Sequence, residues 1–215
     1  MKLKWLGHSC FLITSETGLR ILTDPYSASG GINYSPVNET ASIVTVSHNH
    51  RDHNNITAVK GKPEVITGNG TKTAKGIEFK GIPSHHDESN GRERGANTIF
   101  CFTVDRIKLC HLGDLGHELS QEEIAQIGNV DVLLIPIGGF FTIDARVAAK
   151  VADSLKPKVI LPMHYKTSKC NLPIAGVEDF LAGRKNVKKL NSSETEFKAG
   201  KLPETTEIVV LQSAL

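Results

Sequence analysis

Four residues of the types that bind transition metals fall within six positions of the sequence: His48, His50, Asp52 and His53. They come directly after residues 43–47, a run typical of a strand buried on both faces. Residues i and i+2 at a strand end point to the same side, so His48 and His50 can share one ion. Asp52 and His53 follow where the chain must turn, and they can face a second position. Imidazole with carboxylate suits Zn²⁺, and also Fe or Mn where oxygen ligands are plentiful.

Further metal-binding residue types occur singly, each at the end of a strand-like run: His85 or His86, His111, Asp114 and His164. Taken alone, any one of them is more often a hydrogen-bonded polar residue than a ligand. Taken together they indicate more, because open α/β sheets place their sites where strand ends meet at one edge. The sequence therefore predicts a metal site that several separate segments of the chain assemble.

Short β-prone runs fill the first half of the chain, and strands alternate with helices in the second half. Ser120 is a suitable N-cap for a helix at residues 121–127. A longer helix is predicted at residues 142–155, with Thr142 as its candidate cap and Asp144 in its first turn. This order favours one layered α/β or α+β domain that spans residues 1–215 with its sheet inside. The remaining predicted elements are strands at residues 3–6, 10–15, 20–23, 43–47, 64–67, 77–82, 98–104, 107–111, 130–135, 159–162 and 206–211, and a helix at 177–181.

Charge and composition narrow the class of partner. The 215 residues include 39% hydrophobic and 22% charged residues, with a formal net charge of +2. Since the Lys and Arg residues are scattered and no aromatics lie among them, we expect neither a nucleic-acid surface nor binding to an anionic membrane. A small-molecule substrate is the expected partner, and the oligomeric state has no signature in the sequence. Arg92, Arg94, Lys166 and Lys169 are candidates to bind an anionic group, although solvated loop charges are the commoner role.

Cysteine usage and the apolar runs indicate the compartment. The four cysteines, Cys10, Cys101, Cys110 and Cys170, form no C-x-x-C pair, and we expect them to be reduced. The first ten residues begin with a strand-like segment and lack the features of a signal peptide. No apolar stretch approaches the length of a membrane span. We therefore expect a cytoplasmic protein.

The chain resembles the metallo-β-lactamase superfamily, and within it the branch of ascorbate-6-phosphate lactonase and related metal-dependent hydrolases. The resemblance covers nearly the whole chain, and its most specific part is the histidine cluster together with the later Gly-Asp and His. The segments that carry it are Trp5-Leu6-Gly7-His8-Ser9, Leu22-Thr23-Asp24-Pro25, His48 to His53, Ser84-His85-His86-Asp87, His111-Leu112-Gly113-Asp114, Pro136-Ile137-Gly138-Gly139 and Pro162-Met163-His164.

The resemblance implies a four-layer αβ/βα sandwich, in which two mixed sheets lie face to face with helices outside. It also implies a dinuclear site along one edge. By matching positions, His48, His50 and His86 would hold the first ion. His86 is preferred to His85 because it takes the place of the single histidine that this branch carries before an acidic or small residue.

Asp52, His53 and His164 would hold the second ion by the same matching, and Asp114 would bridge the two. The thiolate that some β-lactam-cleaving members use as a ligand has no counterpart here, which argues against antibiotic hydrolysis. Asp24 resembles an early aspartate that orients the cluster through hydrogen bonds. His8 and His111 are candidates for similar supporting roles, at even odds with ordinary structural ones.

Two divalent ions, with Zn²⁺ expected and Mn²⁺ or Fe²⁺ as alternatives, would lower the pKa of a bound water to about 7. Asp52 is the candidate to move the proton of that water, and Asp114 is the other candidate catalytic residue. The expected function is hydrolysis of a small, anionic ester, lactone or phosphoester. Three alternatives remain open: a metal-dependent nuclease or phosphodiesterase, a non-catalytic metal-binding module on the same fold, and a redox role with iron.

Overall fold

Two β-sheets form the body of the molecule, and the computed structural model describes residues 1–215 of the chain. The first sheet has six strands in the order β13-β1-β2-β3-β4-β5. β3, β4 and β5 are parallel, whereas β13, β1, β2 and β3 pair antiparallel in turn. The strands are β1 Lys2–Gly7, β2 Cys10–Thr14, β3 Arg20–Thr23, β4 Ile43–Val46, β5 Glu64–Thr67 and β13 Glu194–Glu196.

The second sheet has eight strands in the order β12-β14-β11-β10-β9-β8-β7-β6. Its strands from β12 to β9 are parallel, and β6, β7, β8 and β9 pair antiparallel. Both sheets are therefore mixed, as expected. The strands are β6 Gly70–Ala74, β7 Ile77–His85, β8 Ala96–Val104, β9 Ile107–His111, β10 Val132–Pro136, β11 Val159–Met163, β12 Val187–Lys189 and β14 Glu207–Val210.

One large hydrophobic core joins the two sheets. It contains alternate residues of β1 and β2, including Leu3, Trp5 and Phe11, together with residues of the second sheet such as Phe79 and Phe100. The intervening residues of the first sheet point to its other face, where a second cluster of 14 buried residues lies. The two mixed sheets, packed through this core, confirm the predicted α/β sandwich.

The helices lie against the second sheet. α1 (Gln121–Ile127) contacts β7, and α2 (Ala145–Leu155) contacts both β10 and the short α3 (Glu178–Leu181). Over the outer face of the first sheet, irregular chain from Tyr26 to Ala41 supplies five of the 14 residues of the second cluster, and the only helical turn there is Ile56–Ala58. None of these helices is long and apolar enough to cross a membrane.

The start of α2 differs from the sequence prediction. The helix begins at Ala145 rather than at Thr142, and its N-cap is Asp144, whose carboxylate accepts the backbone N–H of Val147 at 2.7 Å. The prediction that Thr142 caps the helix was wrong because an Asp in extended conformation already satisfies the first free N–H groups. Ser120 was predicted correctly: it caps α1, and Glu123 completes a reciprocal capping box.

Three strands were missed from the sequence. β6 is polar and mostly exposed, and β12 and β13 have three residues each at the sheet edges. None carries the apolar alternation that indicates a half-buried strand. All four cysteines are unpaired.

Candidate metal centre

The polar centre of the molecule is built at strand ends that share one edge of the sandwich. His8 follows β1, Asp24 follows β3, His48 comes two residues after β4, His86 follows β7, and His164 follows β11. Asp114 comes three residues after β9. Because these strands run in the same direction within each sheet, their carboxyl ends bring the side chains together. The convergence predicted from the sequence is therefore present.

One group of possible ligands consists of His48, His50 and His86. Their nearest ring nitrogens lie within 4.8 Å of one another, and His48 Nε2 is 3.1 Å from His50 Nδ1. His48 and His86 are buried, whereas His50 is exposed. An ion bound by this group would therefore be covered by protein at His48 and His86 and reached by solvent beside His50.

A second group contains Asp52, His53 and His164, and it also contains His8. One donor atom from each of these four residues lies within 4.8 Å of the others. His8 Nε2 is 3.3 Å from Asp52 Oδ2, and the rings of His8 and His164 are 4.1 Å apart between centroids. His8, which the sequence offered only as a supporting residue, thus lies beside the predicted ligands.

Asp114 lies between the two groups. Its Oδ2 atom is 3.1 Å from Nε2 of His53, 3.2 Å from that of His86 and 3.3 Å from that of His164. His48 Nε2 is more distant, at 3.9 Å. A single carboxylate oxygen is therefore surrounded by imidazole nitrogens from both groups, as a bridging residue requires.

Asp24 fixes the orientation of two histidines from below. Its Oδ2 accepts hydrogen bonds from Ser47 Oγ at 2.5 Å and from His53 Nδ1 at 2.9 Å. Its Oδ1 accepts the backbone N–H of Ser47 at 2.8 Å. Since the Ser47 hydroxyl proton is directed to Asp24, Ser47 Oγ accepts from His48 Nδ1, 3.0 Å away. Both rings therefore place a proton on Nδ1 and direct Nε2 into the centre.

The surroundings of His48 and His53 shift their pKa values in opposite directions. Burial, together with the neighbouring His53, lowers the pKa of His48 to about 3, so that this imidazole is neutral at pH 7. Burial also acts to lower the pKa of His53, but the Asp114 and Asp24 carboxylates outweigh it and raise that pKa well above its ordinary value. The two carboxylates thus stabilise a cation at this position.

The donor atoms fit a metal centre. His53 Nε2 and Asp114 Oδ1 are buried and have no hydrogen-bond partner, although buried polar atoms are normally paired. His53 Nε2 lies close to Asp114 Oδ2 without hydrogen-bond geometry. Six histidine rings form the set together with the carboxylates of Asp52 and Asp114. Imidazole and carboxylate are ligands that zinc and related divalent ions prefer.

The remaining sequence candidates lie around this centre. His86 joins the cluster, whereas the backbone N–H of His85 donates to His117 and the His85 ring packs 5.6 Å from the His117 ring, away from the centre. His111 is hydrogen-bonded to the backbone: its Nε2 donates to Ser9 O at 3.0 Å, and its Nδ1 accepts the N–H of Gly113.

Two supporting residues were missed from the sequence. Ser47 links Asp24 to His48, as described above. Asn97 is buried in β8, where its Oδ1 accepts the backbone N–H of Asp114 at 3.0 Å and its Nδ2 donates to Leu112 O. An Asn at a position that otherwise reads as buried strand is the signal that identifies such a residue, because a buried amide needs partners.

A cavity of about 410 Å³ opens onto the centre. Asp52, Asp114 and three histidines line its floor, and Arg51 and Arg94 stand in its walls. An apolar side is formed by Ile32, Phe141 and Leu172. The volume suits a small molecule.

Comparison with known proteins supports the class of protein that this centre defines, a metal-dependent hydrolase. The model of the β-lactamase superfamily domain matches residues 2–164, a range that includes all the candidate ligands. A metal-dependent hydrolase of the UPF0173 family from Thermococcus kodakarensis is 32% identical over 195 residues, covering 78% of this chain and 85% of the relative. A relative with the same description from Carboxydothermus hydrogenoformans is 31% identical over 194 residues, with the same coverage.

A solved structure from Thermotoga maritima shares the fold over almost the whole chain. That protein, proposed to be a Zn-dependent hydrolase of the metallo-β-lactamase superfamily, is 38% identical, with a TM-score of 0.80 and coverage of 98% of this chain and 97% of the other. The chain therefore belongs to the metallo-β-lactamase superfamily. The resemblance noted in the sequence is confirmed at this level, as is the class of metal-dependent hydrolase.

Proposed function

We propose that this protein hydrolyses a small anionic ester, lactone or phosphoester with the help of two divalent metal ions. His48, His50 and His86 would hold the first ion, and Asp52, His53 and His164 the second. Asp114 would bridge them. The observation that carries the proposal is the convergence of imidazole nitrogens from both groups on the single oxygen Asp114 Oδ2.

Zinc is the metal that the donor set favours, because imidazole nitrogens outnumber carboxylates. When bound, two such ions lower the pKa of a water to about 7 and polarise the oxygen of the scissile group. The side chains of the protein supply the rest of the chemistry. Asp24 and Ser47 hold His53 and His48 with their Nε2 atoms directed inward, so that the ligands need no rearrangement.

Asp52 is the candidate to move a proton. The Oδ2 atom of Asp52 lies 3.3 Å from His8 Nε2. Asp52 also lines the cavity, and its side chain is 28% exposed. Burial opposes ionisation of this carboxyl, but the hydrogen bond with His8 and the nearby His53 lower its pKa, so that it is a carboxylate at neutral pH. Its Oδ1 atom can accept a proton from attacking water and return it to the leaving group.

Metal content and hydrolysis, measured on one preparation, test the proposal. We expect the wild-type protein to bind two equivalents of zinc and to cleave at least one ester, lactone or phosphoester in a panel of anionic substrates. Asp114→Asn should bind at most one equivalent, and its activity should fall by about 100-fold or more, since a bridging carboxylate is lost. Asp153→Asn, a change at an exposed carboxylate paired with Arg184, is the control and should match the wild type.

Two outcomes would contradict the proposal. One is full activity in Asp114→Asn, which would show that Asp114 is not needed in the metal centre. The other is a wild-type protein that holds two equivalents of zinc and cleaves nothing in the panel, which would favour a metal-binding module instead.

A further inference from the structure

The walls of the cavity contain two arginines that no part of the metal centre requires. Arg94 and Arg51 both line the cavity that opens onto Asp52 and Asp114. We propose that Arg94, assisted by Arg51, binds an oxyanion of the substrate, either a phosphate or a carboxylate, that is not itself cleaved. This inference rests on the proposed hydrolytic function and assigns the substrate class of the same site.

The loop that carries Arg94 is held in one conformation by a buried carboxylate. Asp87 accepts four backbone N–H groups, from Ser89, Gly91, Glu93 and Arg94, at distances of 2.8 to 3.0 Å. Asp87 directly follows His86, so that the loop is anchored at the centre itself. The backbone of Arg94 is therefore preorganised relative to the metal-binding residues, as specific recognition of a ligand requires.

The guanidinium of Arg94 lies against an aromatic ring and has a single, distant and solvent-exposed carboxylate partner. Its Cζ atom lies over the Phe141 ring, 5.7 Å from the centroid, and its side chain is 31% exposed. Glu93 is the only carboxylate in its range, at 3.6 Å, and Glu93 also accepts a hydrogen bond from Ser89 Oγ at 2.7 Å. Stacking on an aromatic ring leaves the edge of a guanidinium available for a bidentate contact with an oxyanion.

The other basic candidates from the sequence are engaged elsewhere. Lys166 Nζ donates to Leu172 O at 2.9 Å, and Lys169 Nζ donates to Leu215 O at 2.6 Å. Neither lysine lines the cavity, and neither does Arg92. Arg51, in contrast, forms no ion pair, and its guanidinium packs over Gly30 at the cavity wall.

The charge balance of the lining favours an anion once metal is bound. Arg51 and Arg94 oppose the three carboxylates of Asp52, Glu93 and Asp114, so that these side chains carry a net charge of about −1. Two divalent ions would change the balance to about +3. A substrate whose uncleaved part bears a phosphate or carboxylate would offset that charge, and the wall formed by Phe141, Leu172 and Ile32 would contact its carbon skeleton.

Binding of simple anions to the zinc-loaded protein tests the subsite without any need for a substrate. Inorganic phosphate and acetate are the probes, and calorimetry gives their dissociation constants for the wild type, Arg94→Ala, Arg94→Lys and Arg92→Ala. We expect Arg94→Ala to weaken binding of at least one anion by about tenfold, because a partly desolvated charged contact is lost. Arg94→Lys should be intermediate, since it keeps the charge but loses the planar fork.

Arg92→Ala is the matched control, because it removes the same side chain from the same loop outside the cavity, and its affinities should stay within twofold of the wild type. If Arg94→Ala weakens phosphate binding more than acetate binding, the substrate group is a phosphate. The opposite order indicates a carboxylate. The inference is overturned if Arg94→Ala binds both anions as the wild type does, or if the wild type binds neither. Hydrolysis of the panel of anionic esters, lactones and phosphoesters is followed in parallel. If nothing in the panel is cleaved but anion binding depends on Arg94, the proposed hydrolysis is contradicted and the anion subsite is supported.

Discussion

Replacement of Asp24 by Asn tests whether the centre depends on hydrogen bonds behind its ligands. The change is almost isosteric, yet an amide cannot satisfy the three donors that meet the carboxylate. If the amide oxygen faces Ser47 Oγ and His53 Nδ1, its NH₂ group opposes the backbone N–H of Ser47. If the amide is flipped, its NH₂ group opposes His53 Nδ1 and favours the tautomer that protonates Nε2.

Either orientation of the amide should lower both the stability of the protein and its affinity for zinc. An unsatisfied buried donor costs about 1–3 kcal/mol, which should appear as a lower free energy of unfolding of the metal-free protein. Loss of a carboxylate that orients a metal-binding histidine typically weakens metal binding 10- to 100-fold, or about 1.4 to 2.7 kcal/mol. We therefore expect the zinc dissociation constant of Asp24→Asn to rise by this factor, measured by competition with a chromophoric chelator.

Asp144→Asn provides the control for this measurement. Asp144 also accepts a backbone N–H, that of Val147, but it contacts none of the candidate ligands, and Asn caps helices equally well. Its zinc affinity should equal that of the wild type. A zinc affinity of Asp24→Asn within threefold of the wild type would refute the reasoning, because His53 and His48 would then be oriented without Asp24.

Three further predictions concern single positions. Gly113→Ala should lower the free energy of unfolding by roughly 2–4 kcal/mol in urea titration, because φ is +57° and a Cβ would lie 2.3 Å from Asn97 Oδ1. Gly76→Ala, with φ of +78° but open space around it, should cost only about 1 kcal/mol. Zinc analysis should show that His86→Ala loses an equivalent of metal and His85→Ala does not, and equal contents would contradict the placement of His86. Asp87→Asn should speed amide exchange in residues 89–94 at neutral pH. Burial opposes ionisation of Asp87, but four backbone N–H groups lower its pKa from the ordinary 3.8 to about 2. Its stabilisation is therefore present above about pH 4 and lost as pH falls towards 2, where the wild type and the variant should converge, and a difference that persists there would contradict this account.

The location of the centre could be predicted from the sequence because its residues follow strongly apolar strands. β4 and β11 are buried throughout, and their ends are marked by the change from apolar to polar residues at Ser47 and at His164. Such a change is the clearest local signal of a strand end. Strand ends of one direction then share an edge, so that separate histidines could be predicted to meet.

The residues around His85 and His86 do not determine which of the two histidines faces the centre. Neighbouring residues of a strand point to opposite faces, so that a one-residue difference in where β7 ends decides which ring faces the centre. β7 continues to His85, three residues beyond the predicted end at residue 82. Only family resemblance pointed to His86, because nothing in Ser84-His85-His86-Asp87 fixes the register of the strand.

The supporting contacts could not be predicted for a related reason. Asp24 and Ser47 lie 23 positions apart in sequence, and Asn97 and Asp114 lie 17 apart, so that these hydrogen bonds depend on the pairing of whole strands. Arg51 and Arg94 likewise share a cavity only because the first and second sheets face each other. Patterns along the chain indicate which residues can bind metal, and the packing of the sheets determines which residues hold them in place.

The backbone at the centre is held in a conformation that unsupported residues avoid. His8, Asp24 and His164 have φ values of +52°, +38° and +50°, and each is the first residue after a strand. A left-handed conformation costs an L-residue roughly 1–2 kcal/mol, so that these turns persist only where the surrounding structure stabilises them.

The stabilisation is visible in the hydrogen bonds of those turns. The carbonyl of His8 accepts from Trp5 Nε1 at 3.0 Å and from the backbone N–H of His164 at 3.2 Å, while the N–H of Asp24 donates to Thr45 O at 2.9 Å. Two turns from different sheets are thus bonded to each other directly beneath the cluster. Because the sheets and their core of 46 buried residues supply this support, the geometry of the centre depends on the fold itself. Unlike a zinc finger, whose structure depends on its ion, this architecture presents a preorganised set of ligands to the metal.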